Sequence, residues 1–213
     1  MVRVLGIDPG LGRCGWAVVE GAARGGTALG YGTVATRGEE VAPRLAELAR
    51  RLREVVARYQ PDSFAIERLF VNANVRTAMT VGQASGVALL IAAEHDLPVA
   101  AYTPSQVKRA ITGTGSAPKA QIGYMVRALL NLAATPTPTD SADALAVALC
   151  HLHHAAVPGG GAGATATAPP SAGSGRAGGQ RGAAADPGGG GLAAATAADW
   201  LARAAPTSPW RGP

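Results

Sequence analysis

Four acidic residues sit where segments of the chain change character: Asp8, Glu67, Asp140 and Asp143. Asp8 closes the apolar run VRVLGID and Glu67 closes SFAIE, so each ends a strand-like segment where an unpaired ion is costly to bury. Asp140 and Asp143 stand three residues apart and share one face of a helix. If the two strands lie side by side and that helix crosses their ends, four carboxylates converge. Like charges at such range raise one another's pKa, so the cluster stays ionised only beside cations. Hard divalent ions meet that need: Mg²⁺ takes oxygen ligands, and two ions bridge acids and a scissile phosphate. Each residue alone has a plainer use. Asp8 before Pro9 and Gly10 suits a turn, Asp140 a helix N-cap, and Asp143 the positive end of a helix dipole. Glu67 is harder to assign that way, because its neighbours favour burial. Taken together, the four point to a metal site.

Other residue types add less. Seventeen of the 19 basic residues are arginine, so Lys108 and Lys119 stand out, either as point charges or as ordinary solvated helix residues. Lys119 follows GTGSAP, where a Gly-rich loop and a helix start can present backbone N–H groups to phosphate. Phe70, one of two phenylalanines, lies in the polar stretch ERLFVNAN. It suits either stacking on an unstacked base, worth about 1–3 kcal/mol, or capping the next helix from the core. His151, His153 and His154 crowd a helix end, where positive side chains favour the dipole, and we leave them outside the metal shell. Cys150 falls in the apolar stripe of that helix and reads as buried, and Trp16 reads as core.

The elements that must position these groups follow from periodicity and breakers. Residues 2–8, 14–20 and roughly 29–36 read as three strands joined by Gly-rich turns, an antiparallel meander. Leu45, Leu48, Leu52, Val55 and Tyr59 form one helix face, with Glu47–Arg51 and Glu54–Arg58 pairs opposite, and Pro61 ends the helix. A strand at 63–67 follows, then a helix from about Val75 to His95. That helix is apolar on more than one side, so it is either central or buried by a partner subunit. A strand at 98–102, a short helix from Pro104 to Gly113, another at about 118–132 and a last one from Asp140 to His154 complete the pattern. This is an α/β arrangement, a mixed sheet flanked by helices.

Composition sets the domain limits. Residues 157–213 hold 14 Gly, 7 Pro and 17 Ala, with only four Arg and two Asp. Such a stretch has too little bulky apolar content to offset its ordering entropy, so it reads as a disordered tail on a domain spanning 1–156. Of the formal charge of +5, the first 156 residues carry +3, a mild excess that does not by itself prove a nucleic-acid partner. There is no G-X-Y period, no disulfide framework from two cysteines, and no unbroken apolar run near 18 residues. The start MVRVLGID reads as a strand and not a signal peptide, so the expectation is a cytoplasmic protein without a membrane partner.

The four acids lie within longer strings: GIDPGLGRCGWAVVE, IERLFVNANVRTAMTVGQASGVALL, PSQVKRAITGTGSAPKAQIGYMVRALL and DSADALAVALCHLHH. These resemble the RuvC family, the Holliday-junction resolvases or crossover junction endodeoxyribonucleases, in register over about residues 2–154. The resemblance implies an RNase H-like fold with a five-stranded mixed sheet, acting as a homodimer. It implies Mg²⁺, two ions per subunit with Mn²⁺ as a substitute, held by Asp8, Glu67, Asp140 and Asp143 as the catalytic acids. Lys108 and Lys119 match basic residues of the family's active-site and DNA-contacting surface. Phe70 matches an aromatic that stacks near the junction centre, and His151 matches a family position outside the metal shell. The expected partners are four-way junction DNA and the branch-migration complex RuvA–RuvB. The expected reaction is paired symmetrical nicking in recombination and repair, leaving 5′-phosphate and 3′-hydroxyl ends.

Three rivals remain at this level. GIDPGLGRCG also resembles the phosphate-cradling hairpin of actin-like ATPases and sugar kinases, although those enzymes usually need two such domains. A DNA-binding protein without catalysis would not need four intact acids. An RNase H-like nuclease acting on RNA–DNA hybrids differs only in substrate.

Overall fold

The computed structural model describes residues 1–22, 25–68 and 75–155. Three strands come first: β1 (Val2–Asp8), β2 (Arg13–Ala22) and β3 (Gly25–Ala35). They form the expected antiparallel meander, with Asp8 opposite Gly15 and Ala22 opposite Gly25. Both hairpin strands run longer than their apolar cores, because Gly21, Gly25 and Gly26 continue the ladder where side-chain patterning is silent. Next come α1 (Val41–Tyr59), β4 (Ser63–Glu67), α2 (Val75–Glu94) and β5 (Val99–Tyr102). The chain continues through α3 (Pro104–Thr112), α4 (Lys119–Leu129) and α5 (Thr139–Ala155). The sheet order is β3-β2-β1-β4-β5, with β1, β4 and β5 mutually parallel. It is the mixed five-stranded sheet expected from the sequence.

Alternation along β1 decides what each face receives. Val4 faces the core built on α5, whereas Leu5 and Ile7 face the core built on α1 and α2. Burial on both sides explains the nearly continuous apolar run of β1, as for a parallel strand covered by helices. Helix α5 is sheathed on almost every side, with ten residues from Ser141 to Leu152 buried, which places it centrally over the sheet. Cys150 is fully buried there, as its position predicts. In α1 the buried stripe is Leu48, Leu52, Val55 and Val56. On its outer face Arg50 and Arg51 both pair with Glu47 and Glu54, so Glu54 points back a turn instead of forward to Arg58. Trp16 is only half-buried, tilted against Tyr59 with ring centroids 5.8 Å apart at the margin of that core.

Helix α2 differs from α5. It buries Ala84, Ala88, Ile91 and Ala92 while Val75, Met79, Leu89 and Leu90 stay exposed. By length and composition alone it could cross a membrane, but its buried residues belong to the core it shares with α1. Helix α3 opens with a capping box. The Thr103 hydroxyl accepts from the Gln106 N–H, the Gln106 side chain accepts from the Thr103 N–H, and Pro104 takes the first turn.

Candidate active site

The site lies at one end of the sheet, where β1 and β4 run parallel and stop at Asp8 and Glu67. Helix α5 comes close to the sheet because the strands beneath it carry glycine. A β-carbon on Gly6 would collide with the Ala144 carbonyl oxygen and lie 2.7 Å from the Ala148 nitrogen. One on Gly15, opposite Asp8, would collide with the Asp140 carbonyl oxygen and lie 2.7 Å from its carbon. No side chain fits at either position, so backbone contact fixes the first turn of α5 over the end of β1.

Asp8, Glu67, Asp143, Lys108 and Lys119 share the wall of one open cleft of about 450 Å³. Lys108 is half-buried on α3, not an ordinary solvated residue. Lys119, the first residue of α4, extends its Nζ to within 3.0 Å of an Asp143 carboxylate oxygen. The preceding Pro118 offers no side-chain cap to the first turn of α4. Asp140 is the exception. It is not among the residues that line the cleft, and it accepts a 2.8 Å hydrogen bond from Arg13 Nε. It therefore does not serve as an N-cap, since Thr139 precedes it in the helix and its carboxylate is turned to the strand. The sequence reading missed Arg13, because one arginine among seventeen gives no contrast. The usable signal was strand alternation, which puts residues 13 and 15 on the same face of β2.

The electrostatics separate the strand acids from the helix acids. Burial pushes Asp8 up to about 6, with Asp143 and Asp140 raising it further and Lys119 opposing them. Burial likewise pushes Glu67 up to about 7, helped by Asp8 and Asp143 and opposed by Lys119 and Lys108. Neither makes an ion pair among the described residues, whereas each α5 acid has a cation. Lys119 is held above the ordinary lysine range, first by its hydrogen bond to Asp143. Strand carboxyls that are crowded, desolvated and without an ion-pair partner of their own, offering oxygen donors, fit a hard divalent cation. Among the described residues no three such side chains are already grouped closely enough to hold a metal ion.

The histidines behave as helix-end groups. His154 Nδ1 lies 2.8 Å from the Cys150 carbonyl of its own helix, and His153 Nδ1 lies 3.1 Å from the Ala110 carbonyl. His151 Nδ1 meets the Tyr102 hydroxyl at 2.8 Å, and burial lowers its pKa below the ordinary histidine value. Phe70 lies outside the described residues, as does the stretch 157–213.

Comparison with known proteins agrees with this architecture. The family model for crossover junction endodeoxyribonuclease RuvC matches residues 4–151, which includes all four acids. The RuvC of Frankia alni is 54% identical over 153 residues, covering 71% of this chain and 78% of that protein. That of Parafrankia sp. is 50% identical over 153 residues, covering 71% and 86%. Among solved structures, a T. thermophilus RuvC in complex with a Holliday junction substrate superposes with a TM-score of 0.70. It is 38% identical, and the match covers 73% of this chain and 96% of that one. A sheet closing on two acids, a central helix carrying two more, and a match spanning nearly all the described residues leave one assignment: the chain belongs to the RuvC family of crossover junction endodeoxyribonucleases.

Proposed function

We propose that this protein resolves four-way DNA junctions by paired, symmetrical nicking during recombination and repair, leaving 5′-phosphate and 3′-hydroxyl ends. The observation that carries this reading is the cleft where Asp8, Glu67 and Asp143 face Lys108 and Lys119. Asp8, Glu67, Asp140 and Asp143 are the catalytic acids and would hold two Mg²⁺ ions per subunit, with Mn²⁺ as a substitute. Bound there, the ions supply the Lewis acidity and nucleophile activation that phosphodiester hydrolysis needs. Lys108 and Lys119 orient the scissile phosphate and offset its growing charge. With Asp8 raised to about 6 and Glu67 to about 7, protons compete with the ions for these carboxylates, so ion affinity rises with pH through that range. Phe70 stacks on a base at the junction centre.

The acting unit in this reading is a homodimer, because two equivalent cuts need two sites related by twofold symmetry. The exposed apolar face of α2, with Val75, Met79, Leu89 and Leu90, is the surface a second copy would cover. Residues 1–156 form the nuclease domain, and 157–213 form a low-complexity appendage. The protein acts in the cytoplasm, and the branch-migration complex RuvA–RuvB is its partner at the junction.

The test uses a labelled immobile four-way junction, a linear duplex and an RNA–DNA hybrid, each with and without Mg²⁺. Symmetrical nicking of the junction alone, with ends that ligase seals, is the expected result. Asp8→Asn should lower cleavage by about a thousandfold or more while junction binding persists. Cleavage in EDTA, or preference for the hybrid, would overturn the reading.

A further inference from the structure

The pairing of the α5 acids is unequal in a way that concerns ion loading. Asp143 lines the cleft while paired with Lys119, so its carboxylate already faces the site. Asp140, nearly one turn earlier, is held to Arg13 and is not among the residues that line the cleft. Three features make this contact a product of the fold. Residues 13 and 15 lie on the same face of β2, and Gly15 lets the Asp140 backbone settle directly on the strand. The Asp140 side chain thereby comes within reach of the guanidinium, and the two meet at 2.8 Å across 127 residues of sequence. Asp140 is also close enough to repel the Asp8 carboxylate, so a cation on Asp140 weakens that repulsion.

We propose that Arg13 is a resident counter-cation for Asp140, competing with the divalent ion for this carboxylate. It thereby sets the ion concentration at which Asp140 joins the acidic set. This rests on the reading that the four acids hold divalent ions. The pair is suited to exchange: the Arg13 side chain is 51% exposed and that of Asp140 23%, so breaking the bond leaves no buried, unsolvated guanidinium. A fully buried pair would shut the carboxylate away instead.

The experiment is a Mn²⁺ titration of the full-length protein without DNA, following the free ion by electron paramagnetic resonance. Arg13→Gln should bind Mn²⁺ roughly two- to fivefold more tightly, the range an exposed ion pair supports. Arg44→Gln removes the same charge from the other side of the Gly12 turn, where the guanidinium donates to the Thr36 hydroxyl at 3.1 Å. It should produce a much smaller change. In an Asp140→Asn background, Arg13→Gln should produce none. Unchanged affinity in Arg13→Gln overturns the inference, as does an equal gain in Arg44→Gln or a gain that survives Asp140→Asn. Absence of Mn²⁺ binding in the unaltered protein would instead remove the metal reading on which the inference stands.

Discussion

Asp8 and Glu67 hold protons to about pH 6 and 7 because burial strips the water that would solvate their charge, and neighbouring carboxylates add repulsion. Both therefore bind protons more tightly folded than unfolded. Their contribution to stability is complete below about pH 4 and is lost as pH rises through about 7. Without divalent ions, the melting temperature should fall by roughly 5 °C between pH 5 and pH 7.5, and Mg²⁺ should restore it at the higher pH. Asp8→Asn should flatten the trend, since it removes one titrating group and the charge acting on the other. A calorimetric scan at several pH values in EDTA checks this, and a trend unchanged in Asp8→Asn would refute the assignment. The acids of this site were legible as a set, since each alone has a plainer use. Asp8 and Glu67 announced themselves as acids ending apolar strands. Arg13 did not, because its role exists only through a contact with a residue 127 positions away.

The elements that bring these residues together depend on glycines at two crossings. Gly15→Ala should force the Asp140 backbone off β2, at a cost of about 1–3 kcal/mol. Urea unfolding measures that loss. Gly12→Ala is the comparison: its added carbon would meet only the Arg44 guanidinium at 3.5 Å, so stability should change by much less. Sequence patterning places strands and helices well where apolar side chains alternate, as in β1 and α1. It underestimates β2 and β3, whose outer ends are glycine-rich and continue the backbone ladder beyond the apolar pattern. The cap use that Asp140 offers on its own is not realised, because cap preference is local while the Arg13 pair is tertiary.

For the whole molecule, the decisive surface is α2. Met79 is 62% exposed and Leu90 55% exposed on a helix whose opposite side sits in the core. Leu90→Glu should turn a dimer into monomers, weakening association by about a hundredfold, since a twofold interface suffers each lost apolar contact twice. Sedimentation velocity across a concentration series reads this directly. Folding should be unaffected, because Leu90 lies outside the cores of the single chain.

Element order, the four acids and their likeness to a family of junction resolvases were readable along the chain, because apolar period, breakers and charged strand ends are local properties. The chain also marked α2 as apolar on more than one side, either central or covered by a partner, and the structure buries one side and leaves the other exposed. It took packing to set Asp8, Glu67 and Asp143 along the cleft while holding Asp140 to Arg13. That division arises where α5 crosses β1 and β2: backbone contact at Gly6 and Gly15 fixes the helix, and desolvation then acts most strongly on the strand acids beneath it. Proximity and burial are properties of packing, and no spacing along the chain encodes them.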